Sequence, residues 1–218
     1  MGVAGGGTTG AVSDGARYPV PAARHRAEQT IDRSRFICTV QRVRSAADAQ
    51  EFLREMNDEF ADATHNCWAY LVGAPGSTDR IGMSDAGEPH GTAGRPMLVV
   101  LQHSGVGDIA AIVTRYYGGT NLGTGGLVKA YGGTVQLALV TMARAERIDY
   151  AEMMVVVGYE SISVVQQLLL RHEAASLTED YGERATFRLR VPVARAEAMR
   201  DALLDATSGR AEVTMGKP

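Results

Sequence analysis

The chain has 218 residues, 45% of them hydrophobic and 22% charged, with a formal net charge of −3. That length suits one large domain or two small ones, and the near-neutral charge excludes a protein that coats nucleic acid through bulk electrostatics. No apolar run reaches the ~18 residues of a membrane span, and two cysteines, Cys38 and Cys67, make neither a disulfide scaffold nor a metal knuckle. Both cysteines read as reduced and buried, with no disulfide partner, and the chain as cytoplasmic.

Residues 1–30 are rich in Gly, Ala, Pro and Arg without apolar periodicity, and read as a disordered N-terminal arm. Residues 17–44 carry seven arginines against two acids, a local basic stretch. RFICTVQRV (35–43) has the aromatic and β-branched content of a strand. Ser45 and Asp48 then form a capping-box-like pair ahead of Ala49, Phe52, Leu53, Met56 and Phe60, whose spacing predicts a helix over 46–60. NCWAYLVG (66–73) is a strand with Trp68, Tyr70 and Val72 on one face and Cys67, Ala69 and Leu71 on the other. The stretch 74–95 is a long loop, Pro96 opens a helix continued by MLVVLQH (97–103), and 108–117 is a strand. A glycine-rich loop and a helix over 127–143 follow.

After RAER (144–147) the pattern restarts. IDYAEMMVVVGYE, SVVQQLLLRH, ASLTEDY, RATFRLRVPV, ARAEAMRDALLDA and AEVTM read as strand, helix, strand, strand, helix, strand. That order, βαββαβ, is the split arrangement of a ferredoxin-like domain. The chain therefore divides into an arm (1–30), a first domain (31–145) and a second (146–218).

TRYYGGTNLGTGGLVKAYGG (114–133) places seven glycines between a strand and a helix. It is not a P-loop, and from Gly123 the dinucleotide frame reads GTGGLV, with Val128 where the last glycine belongs. What remains is a helix N-terminus whose first N–H groups point at an anion. Arg115, Gly119, Gly123, Gly125, Gly126, Lys129 and Tyr131 form the candidate anion- or nucleic-acid-binding set. The glycines bare the backbone, Arg115 and Lys129 supply charge, and the tyrosines, Tyr116 and Tyr117 among them, offer stacking surfaces. The competing reading is a tight packing turn, and packing also accounts for Gly132 and Gly133.

In SDAGEPHGTAGRP (84–96), Asp85 and Glu88 are a possible carboxylate pair, and His65 is the histidine best placed to join them; the alternative is a loop held by its own Asp and Ser side chains. No HExxH occurs, and Ser84 in GMSDA misses the nucleophile elbow. No catalytic constellation is complete, so no metal and no cofactor are expected. The chain reads as a binding module before an enzyme. If it is a hydrolase or transferase on a phosphorylated or peptide substrate, His65, Asp85 and Glu88 are its acid/base set, in a cleft between loops 84–96 and 118–126.

SRF (34–36), HNCWAY (65–70), SDAGEPHGTAGRP (84–96) and VTRYYGGTNLGTGGLVKAY (113–131) together resemble the YigZ/IMPACT family. The resemblance covers roughly 31–145, and 146–218 is similar to the C-terminal domain of bacterial members. It implies an α+β protein: an N-terminal α/β domain of the ribosomal-protein type, with a left-handed βαβ crossover, and a ferredoxin-like C-terminal domain akin to one in a translocation elongation factor. It also implies RNA, the ribosome or translation factors as partners. Two positions depart from the pattern: Ala86 stands where bacterial members commonly have a second Asp, and His90 where a small residue is frequent.

Overall fold

The computed structural model describes residues 17–216, which divide into two units, one of residues 18–147 and the other of residues 148–216 together with Arg17. The first contains β1 (Tyr18–Pro21), β2 (His25–Ile31), β3 (Ser34–Arg42), α1 (Ala46–Glu59), β4 (His65–Leu71), β5 (Ile81–Ser84), α2 (Gly94–His103), β6 (Ile109–Tyr116), α3 (Gly123–Thr141) and β7 (Arg144–Arg147). Its main sheet has the order β2-β3-β6-β4-β5, with every pair antiparallel. Period-two alternation sends Phe36, Cys38, Val40, Cys67, Ala69, Leu71, Ala111 and Val113 to one face, where α2 and α3 cover them. On the opposite face, Trp68, Tyr70, Ala110 and Ile112 meet Ala49, Phe52 and Met56 of α1. The unit is therefore three layers, with the sheet between α1 and the α2/α3 pair. The expected cap of α1 is present: Ser45 Oγ accepts from the Asp48 N–H at 3.1 Å.

The expectation of a disordered arm through residue 30 is corrected over its described part. Residues 18–21 and 25–31 are strands, while residues 1–16 lie outside the described residues. β2 pairs with β3 along its whole length through a two-residue turn, Asp32–Arg33, with both residues at positive φ. Pairing and polar contacts specify β2, because its sequence, HRAEQTI, has little apolar content. Gln29 donates to Thr134 Oγ1 at 2.7 Å, and Arg26 reaches both Glu59 oxygens at 2.7 and 3.0 Å. Arg24 pairs with Glu55 and Arg35 with Glu28. Much of the basic stretch is thus neutralised within the fold.

Three element boundaries also move. The 74–95 loop contains β5; α2 begins at Gly94, so Pro96 is its third residue and not its first; and α3 begins at Gly123, four residues before the predicted start. Leu127, Ala130 and Tyr131 are buried on the sheet, and that packing holds the glycine-rich first turn helical despite its poor propensity. Gly132 and Gly133 lie inside α3, each at a cost of about 1 kcal/mol relative to alanine.

β1 pairs with β7, joining the first strand of the unit to its last. Asp108, only 1% exposed, accepts from the Gly73 N–H at 2.8 Å, Tyr18 OH at 3.2 Å and Arg147 Nη1 at 2.8 Å. Burial, followed by the Asp108 charge, pushes the Tyr18 phenol up to about 12.

The second unit contains β8 (Tyr150–Val157), α4 (Ile162–Arg171), β9 (Ala175–Tyr181), β10 (Ala185–Pro192), α5 (Val193–Ala206) and β11 (Glu212–Met215). Its antiparallel sheet has the order β11-β8-β10-β9, which is the ferredoxin-like arrangement. Met153, Val155, Phe187 and Leu189 pack with Val165, Leu168, Met199 and Leu203 of the two helices. Glu152 and Arg188 form an exposed ion pair at 2.7 Å.

Candidate functional site

The register of the first sheet sets the site. Arg115 on β6 lies opposite Phe36 on β3 and His65 on β4, so the three residues form one row across the sheet. Arg115 is only 5% exposed, and its guanidinium lies 5.4 Å from the rings of both Phe36 and Tyr117. A buried cation needs a partner, and Glu88, 8% exposed, supplies it with Oε1 at 2.5 Å from Nη1. The same oxygen accepts from Tyr131 OH at 2.8 Å and lies 3.9 Å from His65 Nε2. Arg115 Nη2 is 3.4 Å from Ser34 Oγ, and its Nε has no partner among the described residues.

His65 Nδ1 is 2.9 Å from the Ala86 carbonyl oxygen. A carbonyl only accepts, so Nδ1 carries the proton in the neutral ring and Nε2 is the basic nitrogen.

Asp85 turns the other way. Its Oδ1 accepts from the N–H groups of Ala93 at 3.0 Å and Gly94 at 2.9 Å, and its Oδ2 from that of Gly91 at 2.8 Å. It is the anion that serves the start of α2. Burial alone would raise its pKa, but the three N–H bonds outweigh burial and hold the carboxyl below the usual range.

Cys67 Sγ lies 2.9 Å from the Asp85 carbonyl oxygen, and burial pushes its thiol up to about 12, which leaves it a core thiol and not a nucleophile.

Above the row opens a cleft of about 370 Å³, lined by Thr64, His65, Glu88, Arg115, Tyr117 and Asn121 and closed by the first turn of α3 at Gly123 and Thr124. Leu122 occupies the N-cap position of α3, and no side chain caps that end. The first N–H groups of a helix have no intrahelical acceptor, so here they are available to a ligand. Two glycines shape the approach. A Cβ on Gly118 would collide with the Arg33 carbonyl, and Gly123 has φ +69°, a left-handed conformation open to glycine. Tyr117, 46% exposed, is held at the rim by its N–H to Thr64 Oγ1 at 3.0 Å and its OH to Asn121 Oδ1 at 3.2 Å.

The structure gathers His65, Glu88, Arg115 and Gly123 at this cleft, with Tyr131 beneath them, fully buried and packed edge-on against Phe36. Tyr131 is thus a core residue, its hydroxyl engaged by Glu88 and beside the Cys67 thiol, and unable to stack on a ligand. Gly119, Gly125 and Gly126 do not line the cleft. Lys129 lies beyond the first turn of α3 and lines a separate groove with Arg95. Thr64, Asn121 and Thr124 also line the cleft, and no motif in the sequence singles them out. Asn121 and Thr124 lie inside the glycine-rich stretch, where their hydrogen-bonding side chains were the available signal. Among the described residues no three His, Cys, Asp or Glu side chains are grouped to hold a metal, and no helix is long and apolar enough to cross a membrane.

Residues 32–139 match the Impact N-terminal domain, and residues 155–210 match a domain of unknown function (DUF1949). The chain is 38% identical over 195 residues to an IMPACT family member of Haemophilus influenzae, covering 89% of this chain and 95% of that protein. To the IMPACT family member YigZ of Escherichia coli it is 38% identical over 190 residues, 87% of this chain and 93% of the relative. To YvyE of Bacillus subtilis it is 34% identical, with 87% of each covered. A crystal structure of an hypothetical protein superposes with a TM-score of 0.64 at 36% identity, covering 92% of this chain and 98% of the other.

Proposed function

The chain belongs to the IMPACT family, and we propose that it is a cytoplasmic binding module of the translation apparatus whose first unit seats one phosphate of single-stranded RNA at the start of α3. The observation that carries this is the uncapped, glycine-rich first turn of α3 opening into a cleft beside exposed Tyr117. The phosphate meets backbone N–H groups, and a neighbouring base stacks on the Tyr117 face turned away from Arg115.

Among the described residues Arg115 is the only Lys or Arg lining the cleft, and Glu88 already neutralises it. Binding therefore depends on N–H dipoles more than on free cations, and its salt dependence is shallow for a nucleic-acid site. The test is a salt titration of affinity for a short single-stranded RNA. Tyr117→Ala should cost about 1–3 kcal/mol, the worth of one stacked base. Thr124→Asp should stabilise the helix by placing a carboxylate in its first turn, yet weaken RNA binding about tenfold or more by filling the anion position. If wild type binds no RNA, or Thr124→Asp binds it unchanged, the proposal fails.

One observation favours a second reading, a hydrolase. The hydrogen bond of His65 Nδ1 to the Ala86 carbonyl leaves Nε2 basic at the cleft. In that reading Nε2 takes the proton of a water whose oxygen attacks the phosphorus of a phosphodiester held at α3; the P–O bond to the leaving alcohol breaks, and the imidazolium returns the proton to that leaving oxygen. Turnover of a phosphodiester that disappears in His65→Ala while RNA binding persists would establish it.

A further inference from the structure

α2 and α3 leave an open groove along their outer side that the cleft does not use. Two adjoining hollows, of about 540 and 380 Å³, share Val99, Val100 and Gln136 and so make one channel along α2. Its walls are apolar, and Val99, Val128 and Val140 are exposed there. Arg95 and Lys129 stand at one end, His103 and Arg144 at the other, and among the described residues no Asp or Glu lines either hollow. Arg95 and Lys129 are both exposed and, among the described residues, neither faces a carboxylate.

The floor carries the second observation. Gly132 and Gly133 both line the groove, in the interior of a helix where glycine is unfavourable. Packing does not require them. A methyl on Gly132 would lie 3.6 Å from Val100 Cγ2, and one on Gly133 would lie 3.6 Å from Gln29 Nε2, both ordinary contact distances. The two glycines deepen a groove that α3 has room to fill.

We propose that this groove docks an acidic amphipathic helix of a partner protein, its apolar side against Val99, Val100 and the two glycines and its carboxylates at Arg95 and Lys129. An apolar floor with cationic ends and no acidic residue is complementary to that chemistry. The ten residues of α2 span about 15 Å, room for roughly three turns of a partner helix. The groove is separate from the RNA cleft, so the two proposals fail independently.

The probe is a labelled synthetic helix with Leu at i, i+3, i+4 and i+7 and Glu elsewhere, with Lys replacing Glu in a control peptide. Fluorescence anisotropy should show saturable binding of the Glu peptide, at least tenfold tighter than that of the Lys peptide. Val99→Glu should abolish it, and Arg95→Glu with Lys129→Glu should weaken it at least tenfold. The joint replacement Gly132→Ala, Gly133→Ala gives the discriminating result: a higher melting temperature together with weaker peptide binding. Four outcomes would overturn the proposal. These are no binding of the Glu peptide, equal binding of the Lys peptide, unchanged binding in the glycine variant, or a concentration-dependent dimer lost in Val140→Glu, which would assign the groove to a second copy of the chain.

Discussion

Asp85 and Glu88 sit three residues apart in one loop and look equivalent on paper, yet the fold gives them opposite work. Asp85 accepts three N–H bonds around the start of α2, and Glu88 neutralises the buried Arg115. Loop spacing carries no information about a partner 27 residues further along the chain, so the sequence marked both carboxylates without separating them. Asp85→Asn should lose about 1–2 kcal/mol of stability at neutral pH, measured by urea denaturation, because the amide keeps one acceptor but loses the charge at the helix start. The folded pKa of Asp85 is lowered. Its contribution is therefore present above the unfolded carboxyl value and is lost as pH falls through the folded one. The gap between wild type and Asp85→Asn should narrow in acid and stay constant into alkali. A gap that held its neutral-pH value down to about pH 2 would contradict the capping role.

Elements were legible where burial imposes a period and obscure where pairing alone makes the structure. α1 announced itself through Ser45, Asp48 and its apolar stripe, β10 through the alternation of Phe187, Leu189 and Val191 with Arg188 and Arg190, and β8 through its apolar run MMVVV. β2 gave no such signal: it is an edge strand with exposed Arg26, Glu28 and Thr30 alternating with half-buried neighbours. The first turn of α3 was hidden for a different reason, since Gly123, Gly125 and Gly126 argue locally against the helix that tertiary packing imposes. Deleting the chain through Thr30 removes β1 and nearly all of β2, strips Gln29 from Thr134, and bares the β3 edge. The melting temperature should fall by about 10 °C or more, several kcal/mol for a unit of this size. A fall of under about 2 °C would mean that β2 lies outside the cooperative fold.

For the whole molecule, the hydrophobic clusters of the two units draw on separate stretches of chain: the two of the first unit end at Met142, and that of the second begins at Ala151. Fragments 18–147 and 148–218 should therefore each give a dispersed amide spectrum when expressed alone. If neither does, the two-unit description is wrong. A fragment covering 31–145, the limits drawn from hydrophobic periodicity, should collapse, because it lacks β1, almost all of β2 and half of β7. The ferredoxin-like half was readable because each of its six elements declares its own type. The polar closure of the first half was not, since it rests on Asp108 meeting Tyr18 and Arg147 from distant parts of the chain.

That closure has a consequence for how the protein is made. β1 is the first described element to be synthesised, and its partner β7 is the last element of the same unit. During translation β1 has no strand to pair with until residue 147 has emerged, so the nascent unit stays unlatched while its central sheet assembles. With its first and last strands side by side, the unit should also accept a new order of synthesis. A circular permutant that joins residue 147 back to residue 18 and opens within the Gly73–Asp79 loop would make β7 and β1 together, early, and form the latch before the sheet behind it exists.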